Sequence, residues 1–171
     1  DERHPKPPEL TKDEEKIFKD PIKDLKPKEK LERTKTFKDE RIMVATQSVD
    51  DGDLVAELLR AEFDNVVVSS DPDHCVDIFD KDRPAVLVLA YKGLEKSQQQ
   101  YLGLYRRSQA IHLPHKTVVL CSYDERPKAY ELCKKRYFDD YVPFWPMTND
   151  TSRLLMAVHH ALWQLAESLI G

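Results

Sequence analysis

The chain has 171 residues, with 27 Lys and Arg against 31 Asp and Glu, a formal net charge of -4 at pH 7 and 34% charged residues. That length holds one ordinary core, and the charge balance gives no overall attraction for nucleic acid or an anionic membrane surface. No apolar run approaches the roughly 20 residues of a membrane span and no signal-peptide pattern opens the chain, which predicts a soluble, cytoplasmic protein.

Residues 1–40 read as a charged arm or linker. They hold 24 charged residues, 12 of each sign, and five prolines. Such a composition buries too little apolar surface to offset the entropy of ordering the chain. Within it, Thr11 and Glu14 have capping-box spacing and predict a short helix through Phe18, broken at Pro21, and Lys28 to Arg33 predicts a brief turn. Ile17, Phe18, Ile22 and Leu25 are the apolar residues available to pack on the body or on a partner.

From Arg41 onward the pattern changes. Ile42-Met43-Val44-Ala45, Val66-Val67-Val68, Ala85 to Leu89 and Thr117-Val118-Val119-Leu120 are continuous apolar runs rich in β-branched residues, as expected of strands buried on both faces. Between them lie stripes with helical spacing: Leu54, Val55, Leu58 and Leu59; Cys75, Val76 and Phe79; Tyr101, Leu102 and Tyr105; Ala129, Leu132 and Cys133. A weaker strand follows around Tyr141-Val142-Pro143-Phe144. The final helix, capped within residues 149–151, carries Leu154, Leu155, Val158, Ala161, Leu162, Leu165 and Leu169. Run from Thr151 to Ile170, it is about 30 Å long. Strands alternating with helices predict an α/β fold in which a parallel sheet is covered on both faces.

These segments carry a family resemblance. RIMVATQ, DLVAELLRAEF, RPAVLVLA, VVLCSYDERPKA and RYFDDYVPFWP, between Arg41 and about Leu165, resemble the successive elements of a response-regulator receiver domain. The resemblance implies a flavodoxin-like five-stranded parallel sheet of order 2-1-3-4-5, forming a 41–171 domain with an extended final helix behind the 1–40 extension, and a site at the carboxyl ends of the strands. A phosphorylatable receiver needs an acidic pair after its first strand and an Asp acceptor after its third. These hold a divalent cation through oxygen ligands, and a Thr or Ser and a Lys bind the phosphoryl oxygens.

Alignment through AELL places Thr46 and Gln47 at the acidic pair, Ala90 at the acceptor and Cys121 at the hydroxyl. Phe144 falls at the Lys position, or Trp145 if one residue is inserted. Asp50 and Asp51 offer a substitute pair only if the first strand runs on to Val49, and the shorter strand makes one of them the cap of the first body helix instead. Ala90 has no atom that accepts a phosphoryl group. The expected protein is therefore a degenerate pseudo-receiver, with no enzymatic activity, catalytic residues, metal site or cofactor.

Other constellations are weaker. His112 and His115 lack thiolate or carboxylate support for a metal, and His159 and His160 point in different directions on one helix. Lys134, Lys135 and Arg136 with Arg106 and Arg107 make short basic blocks. Cys75, Cys121 and Cys133 form no CxxC and read as reduced packing residues. The expected function is a regulatory protein–protein interaction or dimerisation module in bacterial-type signal transduction, a piece of a larger multidomain protein. It would act on an attached output domain, a partner or a second copy through Tyr141, Trp145, Leu162, Leu165 and Leu169, with Trp163 either a further contact or a seat for the arm. Direct nucleic-acid and membrane binding are not expected. The alternative is a small-molecule sensor using a vacated pocket lined by Thr46, Gln47, Ala90, Cys121 and Phe144.

Overall fold

A computed structural model describes residues 9–23, 37–147 and 150–170. In chain order the elements are α1 (Lys12–Lys23), β1 (Arg41–Thr46), α2 (Val49–Arg60), β2 (Asn65–Ser69), α3 (Pro72–Asp82), β3 (Val86–Ala90), α4 (Leu94–Arg107), β4 (Lys116–Ser122), α5 (Arg126–Lys134), β5 (Asp140–Trp145) and α6 (Thr151–Ile170), with short 3-10 turns before β4 and before α5. All strand pairs are parallel and the sheet order is β2-β1-β3-β4-β5. Among the described residues no helix is long and apolar enough to cross a membrane.

The period of two along each strand sorts the core into two layers. Ile42 and Val44 of β1, Val88 of β3 and Val118 and Leu120 of β4 face one way, beneath α2 and α6. Met43, Ala45, Leu87, Leu89, Val119 and Cys121 face the other, beneath α3, α4 and α5. A fully buried Leu or Phe in either layer contributes about 1.5–3 kcal/mol.

Local chemistry sets the helix ends. Thr11 Oγ1 accepts from Glu14 N and Glu14 Oε1 accepts from Thr11 N, the reciprocal capping box expected from their spacing. These bonds hold the Glu14 carboxyl below the usual carboxylate range. The helix does not break at Pro21 but runs on to Lys23. The turn expected at Lys28 to Arg33 lies outside the described residues. Helix α2 is capped by Ser48, whose hydroxyl accepts from Asp51 N, rather than by Asp50 or Asp51, which occupy the first turn. β1 stops at Thr46 and does not reach Val49. Asp150 caps α6 by accepting from Ser152 N at 3.1 Å.

Phe37, ahead of Arg41, is buried in the α2–α6 layer, and the turn behind it is tied down by Asp64 N donating to Lys38 O and Asn65 Nδ2 to Asp39 O. Two expectations are corrected by burial. On α4 the buried residues are Leu94, Ser97 and Leu104, while Leu102 and Tyr105 face solvent. On α6 the stripe stays buried through Leu162 and Leu165, because the Phe37 turn and the amino-terminal ends of β1 and β3 lengthen the surface beneath it; Leu165 is 9% exposed and Leu169 64%.

Candidate functional site

The carboxyl ends of β1 and β3 lie side by side, with Thr46 paired to Ala90. Thr46 is buried, and its hydroxyl donates to Ser48 O at 3.2 Å and accepts from Ser48 N at 3.1 Å, so it is committed to the turn that launches α2. Gln47 is exposed. Ala90 is 1% exposed, its methyl group part of the core.

At β4 and β5 the ladder slips. Cys121 pairs with Pro143 and Ser122 with Trp145, which leaves Phe144 as the extra residue of a bulge. Trp145 therefore takes the end position of β5, as the one-residue insertion requires, and Phe144 is buried in the α2–α6 layer. Cys121 points into the opposite layer, so the hydroxyl at this end belongs to Ser122. Burial pushes the Cys121 thiol up to about 11, and Cys75 and Cys133 are shifted the same way by the same cause, so the three free cysteines stay as thiols. Of the five residues expected to line a vacated pocket, Ala90 and Phe144 are buried in the α2–α6 layer and Cys121 in the opposite layer, Thr46 is buried at the turn that launches α2, and Gln47 is on the surface.

Two further side chains close this end of the sheet: Asp51, which the sequence offered as half of a substitute pair or as a helix cap, and Glu125, which it did not single out. Asp51, in the first turn of α2 and 18% exposed, accepts from Trp145 Nε1 at 3.4 Å and lies 3.9 Å from Lys92 Nζ in the connection after β3. Glu125 accepts from Ser122 N at 3.3 Å and from Leu94 N at 3.0 Å, tying the β4–α5 turn to the start of α4. The spacing of Ser122 and Glu125 is that of a capping box and was legible; the reach of Asp51 to Trp145 had no sequence signal.

A divalent cation of the kind the resemblance implies takes several oxygen ligands. Here the threonine hydroxyl is already bonded, Ala90 offers a methyl group, and Asp51 is paired with a lysine. The residues present do not fit such an ion. Among the described residues no group of three or more His, Cys, Asp or Glu is arranged to hold a metal.

The expected interaction residues are mostly interior. Trp145 and Leu162 are buried and Tyr141 is half-buried against the α3–α5 layer, so Leu169 is the one fully exposed. Trp163 is exposed beside the rings of His159 and His160. His159 Nε2 lies 3.1 Å from Glu62 Oε1. The ring of His115 is held on both sides: its Nε2 meets the Tyr101 hydroxyl at 2.9 Å and its Nδ1 the Leu113 carbonyl at 2.8 Å.

No protein-family model matches the sequence, and no curated protein matches it either. Solved structures do. NtrX from Brucella abortus, in complex with ADP, is 18% identical over 76% of this chain with a TM-score of 0.62, and the chain spans 28% of the length of NtrX. A response regulator receiver domain protein from Clostridium thermocellum is 16% identical over 77% of this chain and 99% of its own, with a TM-score of 0.59. An adenylate cyclase structure from Rhodopirellula baltica is 12% identical over 77% of this chain and 93% of its own, with a TM-score of 0.56. At these identities the likeness is one of fold, and the fold of this chain is that of response-regulator receiver domains.

Proposed function

We propose that this chain is a pseudo-receiver: a non-enzymatic module of bacterial-type signal transduction that regulates through protein–protein contact and takes up no phosphoryl group at its carboxyl-end site. The observation that carries this reading is Ala90, which ends β3 directly beside Thr46. Phosphoryl transfer needs an oxygen nucleophile in line with the donor and positive charge around the transferred group. At this position there is a buried methyl group, and the nearby carboxylate of Asp51 is bonded by Trp145 and paired with Lys92.

The partner in this reading is an attached output domain or a separate protein. A homodimer through the α6 stripe loses its support, because Leu162 and Leu165 are covered by the chain's own core. The sensor reading is not favoured either, since four of its five lining residues are packed in the interior.

Incubation with acetyl phosphate and magnesium is expected to leave the intact mass unchanged, and beryllofluoride with magnesium to leave the amide spectrum unchanged. A stoichiometric acyl-phosphate adduct, or beryllofluoride-dependent shifts around Thr46, Ala90 and Ser122, would overturn the proposal.

A further inference from the structure

Helix α4 and the loop leaving α5 enclose an apolar surface groove of about 360 Å³, lined by Gln98, Tyr101, Leu102, Arg136, Tyr137 and Phe138. Its floor is built in. Phe138 is buried, and the Tyr101 ring meets it edge-on at 6.1 Å between centroids. The Tyr101 hydroxyl is held by His115, and burial pushes this phenol up to about 12, so it remains protonated across the neutral range. The upper walls are open to solvent: Leu102 is 49% exposed and Tyr137 58%.

The rim is cationic by an unusual choice of residue. Helix α5 closes with Arg136 N donating to Cys133 O and Tyr137 N to Leu132 O, a turn whose penultimate position needs a left-handed backbone. Glycine enters that conformation without penalty, yet the residue here is Arg136, at φ 65°. A guanidinium is therefore kept beside the groove at a cost in stability, the kind of outlier that points to use. One helical turn past Leu102, Arg106 is exposed, and so is Lys135.

We infer that this groove docks an acidic amphipathic segment of a partner protein, with apolar side chains between Leu102 and Tyr137 and carboxylates on Arg136 and Arg106. This deepens the interaction-module reading, on which it rests, by naming the surface and the chemistry of the partner; the carboxyl-end site takes no part. A floor ordered before binding favours affinity, because little side-chain freedom remains to be lost.

The test titrates the full chain, isotopically labelled, with a synthetic helix of Glu carrying Leu at i, i+3, i+4 and i+7, and with the same helix having Lys in place of Glu. The acidic probe is expected to shift amides within 98–106 and 135–138, more weakly at high salt, and the basic probe to leave them unmoved. Leu102→Gln, at an exposed position, should weaken binding about tenfold. Arg136→Gly should weaken it about threefold while raising Tm by about 3 °C, which separates the guanidinium's role from stability. Equal binding of the basic probe, shifts confined to another face, or an Arg136→Gly variant with unchanged affinity would overturn the inference. A domain that accepts acetyl phosphate yet binds the acidic probe in this groove would overturn the pseudo-receiver reading and leave the docking site standing.

Discussion

The indole Nε1 of Trp145, at the end of β5, donates to Asp51 Oδ1 in the first turn of α2 at 3.4 Å. Trp145 stands where the receiver resemblance reserves a lysine, and the carboxylate it meets comes from a helix instead of from the end of β1. The cation nearest that carboxylate, Lys92, comes from the connection after β3. A strand end, a helix start and the connection after β3 are thereby joined across the carboxyl end of the sheet, where an indole, a carboxylate and an ammonium meet.

The distance sets what the Trp145–Asp51 bond is worth. At 3.4 Å it is longer than an ordinary N–H···O bond, so a double-mutant cycle of Trp145→Phe and Asp51→Ala should give a coupling of about 0.5 kcal/mol. Trp145→Ala should cost about 3–5 kcal/mol, because it empties a buried volume in the α2–α6 layer. Urea denaturation of the four cycle members measures the coupling, and a value near zero would show that the bond is not formed in solution.

Gly52 is fixed by a close approach. A Cβ there would lie 2.7 Å from Thr46 Cγ2 and 2.9 Å from Val68 Cγ1. Neither methyl moves freely: both side chains are β-branched, and the Thr46 hydroxyl is held by Ser48. Gly52→Ala should therefore destabilise by about 1–3 kcal/mol, although the same change in an unobstructed helix interior gains about 1 kcal/mol. In a Thr46→Ser background, which removes the nearer methyl, the penalty should shrink by about 1 kcal/mol. A stabilised Gly52→Ala protein in urea titration would mean that α2 rides further from the sheet.

The fold was legible because its signals are local and repeated. Val66 to Val68 and Ala85 to Leu89 leave little choice but buried parallel strands, and each observed strand overlaps a predicted one. The site was less legible because its determinants are contacts across long sequence separations. Nothing near Asp51 announces a bond to a residue 94 positions away, and nothing near Phe144 announces the bulge that hands the end of β5 to Trp145. Period alone also misjudged α4: Tyr101, Leu102 and Tyr105 share a stripe, but only the half-buried Tyr101 packs against the core while the other two face outward.

The last two turns of α6 give the sharpest contrast between pattern and packing. Leu165 and Leu169 are equivalent by spacing, and the sequence predicts that both tolerate a charge because both lie past the part of the helix covering the sheet. In the structure Leu165 is 9% exposed, beside a cavity bordered by Asp39, Arg41 and Ala85, whereas Leu169 is 64% exposed. Leu165→Glu should thus cost about 2–4 kcal/mol, from lost apolar burial and a carboxylate forced towards the interior. Leu169→Glu should stay within about 0.5 kcal/mol of the parent. Thermal unfolding separates the two, and sedimentation of Leu169→Glu should match the parent. A Leu165→Glu protein with the parent Tm would mean that α6 detaches from the body after Leu162, returning its end to solvent as a free surface.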